Sequence, residues 1–152
     1  MATQDKLDQT YMRMAQELSK LSYAKKSQVG ALIVKDTQII SEGYNGTPKG
    51  FDNLCEYPSN DTGELITKVE VLHAESNAIA KLARSTNSSS GSTLYVTLAP
   101  CFECAKLIVQ SGINRVVFRD KYTKNGLSLL NKAGVEVHQL HLKEINDEKS
   151  IN

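Results

Sequence analysis

The chain reads as an α/β protein, a three-layer αβα sandwich built on a five-stranded mixed sheet, and three observations predict this. A short apolar run at 29–34 is followed by a turn and a second strand-like run, which makes a hairpin and so an antiparallel pair. From residue 93 onward, strand-like runs alternate with helical patterns, the mark of parallel strands joined by crossovers. Each helical segment carries one apolar stripe, so each needs one face of a sheet to cover it.

The elements follow in order. Met12, Ala15, Leu18, Leu21 and Tyr23 suggest an amphipathic helix over about 5–24. The run 29–34 is a buried strand, Lys35, Asp36 and Thr37 are a turn, and 38–42 pairs back. Residues 43–53 hold three glycines, a proline and two asparagines, a loop with a fixed shape. The stretch 54–71 fits neither period and reads as a long, partly ordered connection, a kind that often carries function. A second helix starts near His73, with Ala74, Ala78, Ile79, Leu82 and Ala83 as its stripe, and ends in the serine-rich loop 87–91. A strand at 93–98, a helix at 101–111 closed by Gly112, and a strand at 115–118 come next. A short helix at 127–133 closed by Gly134 and a fifth strand at 135–140 complete the sheet, and 144–152 reads as a frayed polar tail.

With 152 residues, 40% of them hydrophobic, the chain has the size and apolar content of a single domain over 1–152. A formal net charge of +1 argues against a polybasic nucleic-acid surface, though not against a local basic pocket. The first residues are polar and no run of about 18 apolar residues exists, so neither a secretory leader nor a membrane span is expected. Three cysteines without a secretory signal read as free thiols and metal ligands of a cytoplasmic protein.

The chemistry is concentrated in His73-Ala74-Glu75 and Pro100-Cys101-Phe102-Glu103-Cys104. One imidazole and two thiolates hold a zinc ion by three protein bonds, and the fourth position stays open to water, as in catalytic rather than structural sites. Both halves fall at predicted helix N-termini, where amides and the helix dipole favour thiolates. Glu75, two residues from the histidine, is the candidate catalytic proton carrier. Alone, the Cys-x-x-Cys would equally suit a redox pair or half a structural site. Joined to His-x-Glu in this order, it is the pattern of zinc nucleobase deaminases. Cys55 is left over as a small loop residue.

The chain resembles the cytidine and deoxycytidylate deaminase superfamily, within it the deoxycytidylate deaminases. Besides the zinc motif, the likeness rests on Gln28 to Asp36 as a core strand and on the loop Gly43-Tyr44-Asn45-Gly46-Thr47-Pro48-Lys49-Gly50. It also rests on His73 to Ile79, Leu94 to Cys101 and Gly112 to Phe118. The resemblance implies a cytidine deaminase-like fold, a homohexamer, and hydrolysis of dCMP to dUMP for thymidylate synthesis, with one catalytic zinc per chain. It further implies activation by dCTP with a divalent ion such as Mg2+, and inhibition by dTTP, through a loop matching Gly43, Tyr44, Asn45 and Gly46. A zinc-bound hydroxide would attack C4 of the base while Glu75 shuttles protons. Backbone amides near Ala74 and Cys101 would orient the base.

Lys26, Asn45, Thr47, Ala74, Arg84 and Tyr122 are the expected substrate contacts. Arg84, ~16 Å along the helix from His73, suits a phosphate, an effector nucleotide, a neighbouring subunit or a solvated helix end. Tyr122 suits a ligand contact or an ordinary loop aromatic, and Lys81 a solvent-facing position. Two departures stand out. Ala24 and Val71 occupy positions where some relatives place ligands of a second zinc, so one zinc is expected. Lys25 and Lys26 stand where arginine is usual, and lysine cannot grip phosphate bidentately.

Overall fold

The computed structural model describes residues 1–145. Its order is α1 (Gln4–Ser19), β1 (Gly30–Lys35), β2 (Gln38–Tyr44), β3 (Glu56–Pro58), β4 (Leu65–Thr67), α2 (Ala74–Leu82) and β5 (Thr93–Leu98). Then come α3 (Phe102–Gln110), β6 (Arg115–Asp120), α4 (Leu127–Lys132) and β7 (Glu136–Gln139). Five strands form one sheet in the order β2-β1-β5-β6-β7. β1 is antiparallel to β2 and to β5, while β5, β6 and β7 are parallel. The sheet is therefore mixed, as the hairpin followed by strand–helix units required.

Alternation along the strands sorts the two faces. Leu32, Val34, Tyr95 and Val117 meet Tyr11, Met12 and Ala15 of α1 on one side. Ala31, Ile33, Leu94, Val96, Val116 and Phe118 meet Ala74, Ala78, Ala105, Ile108 and Leu130 of the other three helices on the opposite side. The hairpin turn has Asp36 at φ 51 and Thr37 at φ 61, the doubly left-handed backbone whose twist suits a two-residue connection.

Three expectations change. α1 ends at Ser19 rather than near residue 24. Beyond it the backbone is drawn into tertiary hydrogen bonds: Ser22 Oγ donates to the Asn45 carbonyl at 2.7 Å, and Gln28 Nε2 donates to the Ser22 carbonyl at 2.7 Å. Leu21 and Tyr23, counted into the helical stripe, are exposed. Ala83 is the C-cap of α2 and is exposed, so the stripe stops at Leu82. The stretch 54–71 contains a small antiparallel hairpin, β3 with β4, which had no readable period because both strands are only three residues long. Of the expected frayed tail, Glu144 and Ile145 are exposed, and residues 146–152 lie outside the described residues.

One polar device ties α1 across the sheet. Asp8, 3% exposed, accepts from both Arg115 terminal nitrogens at 2.9 and 2.8 Å, from the Tyr95 hydroxyl at 2.6 Å and from Gln4 at 2.8 Å. Burial alone pushes the Asp8 carboxyl up. The hydrogen bonds from Arg115, Tyr95 and Gln4, with the Arg115 charge, outweigh burial and hold it below its ordinary value of 3.8.

A folded-state value below the unfolded one gives stability that is whole above pH 3.8 and lost as pH falls through the lower folded value. Asp8→Ala strands the Arg115 charge and is expected to cost about 3 kcal/mol in denaturant unfolding at neutral pH. The same variant should lose that part of the acid-side slope.

Candidate metal centre and active site

The site lies at one end of the sheet, where the strand directions bring three termini together. Because β1 is antiparallel to β5, the start of β1 lies beside the end of β5: Ala31 faces Val96, and the Gly30 N–H donates to Thr97 Oγ1 at 3.2 Å. Tyr44, at the end of β2, pairs with Gly30. Leu98, at the end of β5, pairs with Asp120 of the parallel β6. Open α/β sheets bind ligands at the carboxyl ends of such strands.

Two helix N-termini converge there. His73 is the N-cap of α2 and Cys101 the N-cap of α3, both with extended backbones. His73 does not cap its own helix with its side chain. Its Nδ1 lies 3.4 Å from Cys101 Sγ and 3.3 Å from Cys104 Sγ. Among the described residues these three form the one His/Cys/Asp/Glu group whose ligand atoms all lie within 4.8 Å of one another.

The first-turn amides serve the sulfurs. Cys104 N–H donates to Cys101 Sγ at 3.4 Å, and the Ser76 backbone amide offsets a part of the rise of the Cys104 thiol. α3 thus offers an otherwise orphaned N–H to a sulfur. Burial pushes the Cys104 thiol far above its ordinary value, and the neighbouring Glu75 and Cys101 push it further. An electron-rich cluster of this kind, aimed at one point, fits a divalent cation, and the soft N and S donors fit zinc. Glu75 is 4% exposed. Burial raises its carboxyl to about 7, opposed only in part by its own backbone N–H and by Cys104.

A cavity of about 160 Å³ opens over this cluster. Its lining includes His73, Ala74, Glu75, Ala99 and Cys101 together with Lys26, Ser27, Val29, Asn45, Glu56, Thr67 and Tyr122. Of the expected substrate contacts, Lys26, Asn45, Ala74 and Tyr122 therefore share one cavity. Burial, together with Cys101, Glu75 and Cys104 nearby, pushes the Tyr122 hydroxyl up to about 12. Asn45 is a clip: its Oδ1 accepts from Val29 N–H at 2.8 Å and its Nδ2 donates to the Ser27 carbonyl at 2.7 Å.

Thr47 lines a smaller cavity of about 90 Å³ next door, with Tyr44, Asn45 and Gly46. Gly43 lies under α2, where a Cβ would meet the Ala74 carbonyl oxygen at 2.4 Å and the Ala78 nitrogen at 2.7 Å. Arg84 lies past the end of α2, exposed and outside the main cavity of its own chain.

The model of the cytidine and deoxycytidylate deaminase zinc-binding region matches residues 5–120. The chain belongs to this deaminase family. The deoxycytidylate deaminase of Enterobacteria phage T4 is 34% identical over 177 residues, covering 90% of this chain and 91% of the phage protein. The deoxycytidylate deaminase of Homo sapiens is 40% identical over 134 residues, covering 82% of this chain and 74% of the human one. The crystal structure of dCMP deaminase from the cyanophage S-TIM5, in complex with dCMP and dUMP, has a TM-score of 0.83 at 38% identity, covering 91% of this chain and 100% of that one. The αβα architecture is thus the cytidine deaminase-like fold.

The deaminase frame depends on residues that no motif marks. Ser27, Glu56 and Thr67 reach the cavity wall only through the turn of the chain after α1 and through the β3–β4 hairpin. Gly126 was not singled out either. Its N–H donates to the Pro100 carbonyl at 2.7 Å, and a Cβ there would meet Ala105 Cβ at 2.6 Å and the Cys101 carbonyl oxygen at 2.8 Å. The loop carrying Tyr122 is pressed onto the start of α3 at this point. Asn125 Nδ2 fixes the same loop by donating to the Tyr122 carbonyl at 2.6 Å.

Elemental analysis should find one zinc per wild-type chain and almost none in Cys101→Ser or Cys104→Ser. Gly126→Ala removes no ligand, yet it should weaken zinc about tenfold in a chelator competition by displacing the Cys101 backbone.

Proposed function

We propose that this deaminase hydrolyses dCMP to dUMP and ammonia, with one zinc held by His73, Cys101 and Cys104. The observation that carries the reading is the buried Glu75 carboxyl beside that donor set, in a cavity also lined by Lys26 and Asn45. The relatives named as deoxycytidylate deaminases, and the neighbour whose structure holds dCMP and dUMP, favour a cytosine deoxynucleotide.

Zinc, when bound, supplies Lewis acidity that lowers the pKa of a water towards ~7. The chain supplies the proton traffic. A carboxyl raised to about 7 is poised both to take a proton and to give one up near neutral pH. Glu75 would accept one proton from the attacking water and deliver it to N3 of cytosine, then take the second from the hydroxyl now bonded to C4 and pass it to the amine, which leaves as ammonia while the C4–N bond breaks and the carbonyl forms. Burial keeps bulk water from competing for that proton. The Ala74 and Cys101 backbone groups orient the base, Asn45 and Thr47 lie on the sugar side, Tyr122 closes over the base, and Lys26 neutralises the phosphate as a point charge.

The same reading extends to regulation and assembly. Gly43, Tyr44, Asn45 and Gly46 form the effector loop, three of them lining the small cavity beside the active site. There dCTP with Mg2+ activates and dTTP inhibits. Arg84 meets a nucleotide across a subunit boundary of a homohexamer. The product dUMP feeds thymidylate synthesis in the cytoplasm. Neither nucleic acid nor a membrane is a partner; among the described residues no helix is long and apolar enough to cross one.

The test is ammonia release from dCMP, dCTP, deoxycytidine, guanine and adenosine-containing RNA, each with and without dCTP or dTTP as effector. Release from dCMP supports the proposal, and release confined to guanine or RNA contradicts it. Glu75→Ala should keep its zinc and lose at least about a hundredfold in kcat, which separates proton transfer from metal binding.

A further inference from the structure

Glu56 sits where a nucleotide-binding cavity has least use for a carboxylate. It belongs to the β3–β4 hairpin, 31 residues along the chain from Lys25. Yet both of its oxygens accept the Lys25 backbone N–H, at 2.7 and 3.2 Å, and its side chain lines the main cavity beside Lys26 and Ser27. An anion thus already lies against the segment that carries the cavity's one lysine. Among the described residues neither Lys25 nor Lys26 has an ion-pair partner within 4.0 Å, so the amide, not an ammonium, holds the carboxylate.

Two consequences follow from charge. First, the cavity sets the one ammonium of Lys26 against the Glu56 carboxylate, a balance without the positive excess that a long polyanion would need. Secondly, the hydrogen bond anchors the hairpin, and through it Thr67, to the wall. We infer that Glu56 is a specificity-determining residue that limits the charge of the nucleotide tail the cavity accepts, favouring a monophosphate over a triphosphate. The inference rests on the cytosine-nucleotide reading above and deepens it. Its chemistry is repulsion: a triphosphate brings about two more negative charges than a monophosphate. Taking a separation of ~7 Å across a water-like dielectric, one carboxylate opposing two charges would change relative affinity by roughly tenfold. Screening by salt should reduce that factor.

Glu56→Gln isolates the charge, since an amide oxygen still accepts the Lys25 N–H and keeps the hairpin anchored. The experiment measures calorimetric binding, and kcat/KM where turnover occurs, for dCMP, dCTP and uncharged deoxycytidine, using the zinc-loaded full chain at about 50 mM and about 500 mM salt. The expected result is a dCTP-to-dCMP preference raised about tenfold in Glu56→Gln at low salt, less at high salt, with deoxycytidine unchanged. Glu56→Ala, which also frees the hairpin, should in addition weaken deoxycytidine. An unaltered ratio, or an equal change for all three ligands, overturns the inference while leaving the deaminase reading intact. Binding without turnover by the wild type overturns the catalytic reading and leaves the ratio measurable. Failure of the wild type to bind any of the three overturns both.

Discussion

The rest of the structure depends on two helices that begin at the same point. The N-caps of α2 and α3 are His73 and Cys101, and their side chains meet at 3.4 Å. Two N-termini side by side place two positive dipole ends together, which costs energy unless negative charge lies between them. With a metal bound, the thiolates of Cys101 and Cys104 would supply that charge, and the Cys104 amide already donates to Cys101 Sγ. Such a cluster in turn needs a cation. Sheet topology makes the convergence possible: β2 and β5 both run antiparallel to β1, so they finish at one end of the sheet, where α3 follows β5 and Leu72, just before α2, bridges Gly46, just after β2. Close contacts hold it. Gly43 lets β2 lie against the first turn of α2, and Gly126 lets the Tyr122 loop lie against the first turn of α3. Ser41 Oγ donating to the Ala78 carbonyl at 2.6 Å, and Asn77 Nδ2 to the Tyr44 carbonyl at 3.2 Å, fasten α2 to β2.

That arrangement trades stability for chemistry. Glu75 and Cys104 are buried ionisable groups whose charged forms burial disfavours. The opposite case sits on the other face of the sheet, where Asp8 is satisfied by Arg115, Tyr95 and Gln4. One polar cluster is fully partnered and fastens the fold. The other sets buried ionisable groups side by side, the pattern expected where a fold stores its function.

Local signals were legible in the sequence, and meeting points were not. The 3.6 period located α2, which has one face against the sheet, and short strand-like runs located β1 and β5, which are buried on both faces. The joint His-x-Glu and Pro-Cys-x-x-Cys pattern located the donor set, since the ligands lie at helix starts where spacing maps directly onto geometry. The end of α1 was misjudged because Leu21 and Tyr23 continue the apolar spacing, while the capture of residues 22–28 by Asn45 and neighbouring groups is tertiary. The β3–β4 hairpin is too short to show a period, which hid Glu56 and Thr67 from the cavity wall. Arg84 shares the helical spacing of His73 but falls beyond the helix end, out of reach of the cavity in its own chain.

The central claim is that three protein ligands hold one zinc and leave a position for solvent, with Glu75 beside it. X-ray absorption spectroscopy of the zinc-loaded protein tests it most directly. The account predicts one zinc per chain with two sulfurs at about 2.3 Å and two light atoms at about 2.0–2.1 Å, one imidazole nitrogen and one solvent oxygen. Replacing the solvent with a small anion should change one light-atom distance alone. A zinc closed by three sulfurs, as recruitment of Cys55 would give, or a chain that binds no zinc, would contradict it.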